Sequence, residues 1–333
     1  MKVLLTGGSG FIGAHILKIL IERGYEVVLA VRTDTKGQEI LGAYKTNDKL
    51  SYVVVGDIAV PNAFEKAIQA NQDLQGVIHA ASPFHFRAKD NESELFQPAL
   101  NGTVGILKAI HQHAPSVKKV VVTSSIAAVM NPFSKPAEYM EESWNPITKE
   151  QALSNPQLGY LGSKTFAERA AWDFVQKEGP SFGLTTINPP AVLGPVIHHL
   201  ASLDAINTSN EAIAAIVQGK WKDGAPPTFT SPWVDVRDVA LGHVLALETA
   251  TASGRRFLMH GGFLSHADYV AIARKNFPSL REKLPQHVED ETLSDPLVDT
   301  TPARQILHLE FTTLEASVTD TIQSLLDLSA SSH

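Results

Sequence analysis

The chain has 333 residues, 44% hydrophobic and 19% charged, enough to bury a large core as one domain or two lobes. A formal net charge of -7 argues against a nucleic-acid surface, and the absence of cysteine excludes disulfides, thiolate nucleophiles and Cys-based metal sites. No run reaches ~18 uninterrupted apolar residues, and glycines break the apolar start before a secretory h-region can form, so neither a spanning helix nor a signal peptide is expected.

From the N-terminus, short β-branched runs at 2–5, 26–31, 52–55, 77–79 and 119–123 alternate with helical stretches at 12–23, 63–69 and 95–113. A further strand is expected at 184–188. The alternation predicts an α/β fold with an open, doubly wound parallel sheet of the Rossmann type. After Pro189 the pattern changes, because Pro189, Pro190, Gly194 and Pro195 interrupt regular structure. A late strand is expected at 256–259 and helical segments around a short break at 303–328. The Ser-rich end, Ser329 to Ser332, reads as a frayed tail. This divides the chain into a nucleotide-binding domain over 1–188 with return segments near 233–260. A smaller mixed lobe then comprises 189–232 and 261–328, with a flexible tail at 329–333.

The first strand runs into Thr6-Gly7-Gly8-Ser9-Gly10-Phe11-Ile12-Gly13. A Gly-rich turn from strand to helix brings backbone N–H groups near a pyrophosphate, and the helix N-terminus adds a favourable field. Gly7 suits the tight turn, Gly10 close approach and Gly13 tight packing of the helix. Ser9, Phe11 and Ile12 complete the expected contact. The spacing is Gly-x-x-Gly-x-x-Gly rather than Gly-x-Gly-x-x-Gly, and a turn without a ligand is the alternative. The second strand ends Leu29-Ala30-Val31-Arg32, with no acid to bind ribose hydroxyls. Arg32, assisted by Lys36, is suited to a 2′-phosphate, which points to NADP rather than NAD. Asp34 lies beyond the strand. Asp57, in Gly56-Asp57-Ile58, can reach an adenine amino group, cap a helix, or both.

Tyr160 and Lys164 are four residues apart, on one face if the segment is helical. A phenol titrates near ~10, and a neighbouring ammonium lowers that value and so makes it a usable acid. Six tyrosines give such a pair ample opportunity to arise by chance, so its weight comes from lying downstream of the strand end Thr123-Ser124-Ser125, where sheet ligands bind. Ser125 can donate a hydrogen bond to a substrate oxygen; Ser124 competes for that role, and either can instead satisfy local backbone. Asn101 can serve a proton relay or be structural. His198 and His199 lack a third ligand at metal spacing. Trp221 and Phe229 can line an apolar pocket or pack in a core.

Taken together, these segments resemble the extended short-chain dehydrogenase/reductases. Within them the chain is most similar to fungal NADPH-dependent carbonyl reductases of the methylglyoxal and 3-methylbutanal type, relatives of plant dihydroflavonol reductase. The resemblance also rests on His79-Ala80-Ala81-Ser82-Pro83-Phe84, on Glu141-Glu142-Ser143-Trp144-Asn145-Pro146, on residues 188–195 and on Val234-Asp235-Val236-Arg237-Asp238-Val239-Ala240. It implies a cytoplasmic oxidoreductase, a monomer or homodimer, acting on a small carbonyl compound without nucleic acid, membrane or metal. By the same resemblance Tyr160 protonates the carbonyl oxygen, Lys164 binds the nicotinamide ribose and lowers the tyrosine pKa, and Ser125 polarises the carbonyl. Pro189 and Val192 would line the nicotinamide, Ala80, Ala81 and Ser82 would flank the cofactor, and Phe84 would border the substrate. Pro190 departs from the pattern of many relatives. A cofactor-retaining sugar-nucleotide epimerase or dehydratase is the alternative on the same scaffold, and a dinucleotide sensor without activity is the third.

Overall fold

The computed structural model describes residues 1–45, 47–82, 90–200, 202–229, 231–291 and 295–331. In chain order its strands are β1 (Lys2–Thr6), β2 (Glu26–Val31), β3 (Leu50–Val54), β4 (Gly76–His79), β5 (Lys119–Thr123), β6 (Glu138–Tyr139), β7 (Gly183–Asn188), β8 (Ala191–Leu193), β9 (Thr228–Phe229), β10 (Ser231–Asp235), β11 (Arg255–Leu258), β12 (Gly262–Leu264), β13 (Asp290–Glu291) and β14 (Leu297–Val298). Seven of them form one parallel sheet in the order β11-β7-β5-β4-β1-β2-β3. The chain builds outward from β1 to β3, then returns to add β4 on the other side of β1. That reversal opens a crevice beyond the carboxyl ends of β1 and β4, the usual ligand position in such sheets.

Alternate residues of each strand serve opposite faces. Leu4, Val28, Val120, Val122 and Leu184 pack with Ile106, Leu107 and Ile110 of the helix Gln97–His113 and with Ala171 and Phe174 of the helix Pro156–Glu178. Val3, Leu5, Val27, Leu29, Val121 and Ile187 pack on the opposite side with Ile16, Leu17 and Leu20 of the helix Phe11–Glu22 and Val239 and Val244 of the helix Val236–Glu248. This second cluster runs without a break into Trp221, Phe277, Ile322 and Leu325 of the C-terminal half.

The helices are α1 (Phe11–Glu22), α2 (Asp34–Ala43), α3 (Glu65–Gln69), α4 (Gln97–His113), α5 (Lys149–Ser154), α6 (Pro156–Glu178), α7 (Glu211–Gln218), α8 (Val236–Glu248), α9 (His266–Asn276), α10 (Thr301–Ile306) and α11 (Leu314–Ser331). A π-helical turn, Glu92–Phe96, leads into α4. Beyond the main sheet, β10 pairs in parallel with β8 and antiparallel with β12, while β9 pairs with β13 and β6 with β14. Of the tail expected at 329–333, the described part is helical: α11 continues to Ser331, and the Ser329 hydroxyl donates to the Leu325 carbonyl at 2.8 Å. Among the described residues no helix is long and apolar enough to cross a membrane.

Candidate active site

β1 ends at Thr6, and the next residue must turn back beneath the end of β4. Gly7 adopts φ +73°, and a Cβ there would lie 2.7 Å from the Ala80 carbonyl carbon and the Ala81 nitrogen. Glycine is therefore required twice, by conformation and by space. Thr6 fastens the same junction: its hydroxyl bonds His79 Nδ1 at 2.9 Å and accepts from the Ala81 amide at 3.0 Å. Gly13 is tighter still, since a Cβ would sit 2.0 Å from the Gly7 carbonyl oxygen. Gly10 is the N-cap of α1 and no side chain caps that end. The first-turn amides of Phe11, Ile12 and Gly13 thus face outward without intrahelical partners, a ready anion site. Phe11 itself is buried edge-on against His15.

A cleft of about 600 Å³ begins at these glycines. It brings together Gly7, Ser9 and Gly10 from the turn, Arg32 and Lys36 beyond β2, Asp57 and Ile58 beyond β3, and Ala80, Ala81 and Ser82 beyond β4. Arg32 is exposed and has no carboxylate partner among the described residues. Lys36 donates to Glu39, three residues along α2. Asp34 faces elsewhere, accepting from the Tyr52 hydroxyl at 2.6 Å. Asp57 Oδ1 accepts from the Ala59 amide at 2.9 Å, an Asx turn rather than a helix cap. Asn101 Nδ2 donates to the Ala59 carbonyl at 3.0 Å and so holds this loop. The open amides, the Cβ-free turn and the unpaired Arg32 fit a phosphorylated dinucleotide. Thr33, Phe64 and Pro98 also line the cleft, and no local motif in the sequence points to them.

Helix α6 carries Tyr160 and Lys164 to the carboxyl end of β5. The two serines there point differently. Ser124 Oγ donates to the buried Glu168 carboxylate. Ser125 caps a short 3₁₀ turn, accepting from the Ala127 amide at 3.1 Å, and its hydroxyl is hydrogen-bonded to the Tyr160 phenol. Burial pushes the Tyr160 pKa up to about 12, against the pull of Ser125. The Lys164 ammonium lies 5.8 Å from the Tyr160 ring centroid and donates to Ser82 Oγ at 2.8 Å. Lys164 is itself buried, and burial lowers its pKa to about 8, with Glu168 acting in the opposite direction. Ser82 thus joins the dinucleotide cleft to the tyrosine–lysine pair.

The Pro189 carbonyl accepts from the Ile126 amide at 2.9 Å, so the chain after β7 is laced to the Ser125 turn. Val192 lies in β8 with its side chain in the core. Trp221 packs in the core, 4.5 Å from the His266 ring. Phe229 lies in β9. Phe84 falls outside the described residues. His198 and His199 border a second hollow of about 360 Å³ beside α2, and among the described residues no group of three His, Asp or Glu side chains can hold a metal.

The model of the NAD dependent epimerase/dehydratase family matches residues 3–259. Ketoreductase azaE of Aspergillus niger is 44% identical over 331 residues, 98% of this chain and 98% of that protein. NADPH-dependent methylglyoxal reductase GRE2 of Saccharomyces cerevisiae is 35% identical over 338 residues, again 98% of each chain. The crystal structure of Gre2 from Candida albicans in complex with NADPH superposes with a TM-score of 0.89 at 37% identity, covering 98% of this chain and 99% of that one.

Proposed function

Because the chain belongs to the NAD dependent epimerase/dehydratase family of extended short-chain dehydrogenase/reductases, we propose that it reduces aldehydes or ketones to alcohols with NADPH. The observation that carries this reading is the continuity of one crevice. The dinucleotide cleft reaches Ser82, Ser82 bonds Lys164, and Lys164 shares a helix face with Tyr160 and its Ser125 partner. The names of the fungal relatives support the same chemistry.

NADPH held by the Gly7–Gly13 turn and Arg32 would supply the hydride that the carbonyl carbon takes up. Tyr160 then gives its phenolic proton to the carbonyl oxygen, completing the alcohol. A phenol held near 12 keeps that proton at neutral pH, as a donor must, and Ser125 stabilises the phenolate left behind. Lys164, buried and cationic below about pH 8, adds a field favouring the same phenolate. Arg32 and Lys36 are read as the 2′-phosphate contacts, and the amides of the Gly7–Gly13 turn as the pyrophosphate contacts. Residues 189–232 and 261–328 form the substrate side in this reading, which takes a small carbonyl compound.

The test is NADPH oxidation followed optically with methylglyoxal, branched aldehydes, aryl ketones, β-keto esters and dihydroflavonols. Tyr160→Phe should lose 10²-fold or more of the turnover, a typical scale for a general acid, while binding NADPH normally. Near-normal turnover by that variant would remove Tyr160 from its role. No oxidation by the wild type, with nicotinamide retained through purification, would favour epimerase-type chemistry.

A further inference from the structure

Behind the serine, tyrosine and lysine lies a buried ion pair that this chemistry leaves unused. Glu168 stands one helical turn beyond Lys164 on α6 and is 2% exposed. Its Oε1 accepts from Arg256 Nε at 2.6 Å and from Thr186 Oγ1 at 3.0 Å. Its Oε2 accepts from Asn188 Nδ2 at 2.7 Å and from Ser124 Oγ. Asn188 also donates to the Ser125 carbonyl at 3.2 Å. Arg256, on β11, donates to the carbonyls of Glu141 at 2.7 Å and Ser143 at 2.6 Å, and lies 3.7 Å over the Trp144 ring.

Granting the reductase reading, we propose that the Glu168–Arg256 pair is a positioning device, which holds Ser124 and Ser125 in place and governs the pH range over which Lys164 keeps its proton. Among the described residues the titratable groups facing Lys164 are Tyr160 and Glu168 on its own helix and His79 on β4, with Arg256 directly behind Glu168. Ser82, Thr103 and Ser124 are its uncharged polar neighbours. The space between Lys164, Ser124 and Glu168 is about 10 Å³, at the lower limit for one water, so solvent screens these charges weakly. Burial works against the ammonium and Glu168 works for it. Arg256 Nε holds the Glu168 carboxylate at 2.6 Å, so its cation stands directly behind the group that supports the ammonium.

Opposite consequences follow for the two partners. Neutralising Glu168 leaves Arg256 as an uncompensated cation behind Lys164, and the lysine must lose its proton at lower pH. Neutralising Arg256 leaves Glu168 unopposed, and the lysine must keep its proton to higher pH. A merely structural pair would loosen the same contacts in either variant and shift neither limb in a sign-dependent way.

The experiment uses the full chain with [13Cε]lysine labelling, the Lys164 resonance being identified by its loss in Lys164→Met. Its titration is followed in wild type, Glu168→Gln, Arg256→Gln and the double variant, beside the alkaline limb of kcat/KM for NADPH-dependent reduction. The expected result is a shift down by about one pH unit for Glu168→Gln, a shift up of similar size for Arg256→Gln, and near cancellation in the double variant. Glu168→Asp, which keeps the charge, should titrate like wild type. Single variants that move together, or not at all, overturn the inference. Should one single variant fail to fold by circular dichroism, the sign of the other still decides. An inactive wild type would count against carbonyl reduction, while the lysine titration would still judge the ion pair.

Discussion

Arg32 sits exposed on the rim of the cleft with no carboxylate to hold it among the described residues, whereas the nearby Asp34 is tied to Tyr52. A cation free to meet a phosphate and an acid turned away from the ribose both favour NADPH over NADH. Arg32→Ala should therefore weaken NADPH by roughly 10-fold or more, the worth of a charge-assisted hydrogen bond, and leave NADH nearly unchanged. Fluorescence titration with both nucleotides checks this; equal losses would show that Arg32 does not read the phosphate. Arg32 was legible because the strand before it ends without an acid. The Tyr160 and Lys164 pairing was legible from spacing only together with its place downstream of the strand end Thr123-Ser124-Ser125. Glu168 continues that spacing by another four residues, yet its meaning depends on Arg256, 88 residues further along the chain. Local sequence left Ser124 and Ser125 as alternatives and only the family resemblance chose Ser125, because adjacent residues at a strand end point to opposite sides and the fold sets which side faces the tyrosine.

At the level of elements, the strand-turn-helix of β1 and α1 is the most constrained part of the cleft. Gly13→Ala would drive a methyl group into the Gly7 carbonyl oxygen, and backbone on both sides leaves nothing flexible to yield. NADPH affinity should fall by at least 10-fold, with a lowered melting temperature as a second readout. Isothermal calorimetry showing unchanged affinity would refute the cradle as the phosphate contact. The glycines, and the strands that repeat β-branched residues, were readable because each signal is local. Helix α2 was not: its sequence is polar and carries Gly37 and Gly42. Gly37 is there for packing, since a Cβ would lie 2.4 Å from the Tyr52 ring on β3. That contact joins segments whose pairing only the assembled sheet reveals. The helix also starts with a side-chain cap, Thr33 Oγ1 accepting from the Lys36 amide.

The molecule as a whole carries buried imidazoles that resist protonation. His79 is held down to about pH 3, by burial first and by Lys164 second. His243 is held down to about 4 by burial, and is clamped between the Val239 carbonyl and Thr123 Oγ1, each at 2.7 Å. Both folded values lie below the unfolded value near ~6.5. The stability they permit is thus complete above that pH and is lost as pH falls, because only the unfolded chain takes up the protons. Each can contribute up to about 1.4 kcal/mol per pH unit over the window from ~6.5 down to ~4. Urea denaturation between pH 6.5 and 4.5 should show a steadily falling midpoint, with a shallower fall in His243→Gln. A midpoint flat across that range would contradict the burial of neutral histidines.

The order in which the chain is made gives the Glu168–Arg256 pair a further meaning. Glu168 leaves the ribosome 88 residues before its counter-ion, which arrives with the last strand of the main sheet. Until β11 docks, the nascent sheet must either hold an unpaired carboxylate in its interior, at a cost of about 3–5 kcal/mol, or leave that side hydrated and loose. The residues before β11 therefore do not by themselves complete the surroundings of Lys164 and Glu168. A translation product stopped short of Arg256 would carry the glycine cradle yet lack the counter-ion of Glu168, the kind of incomplete interior that chaperones and proteases act on.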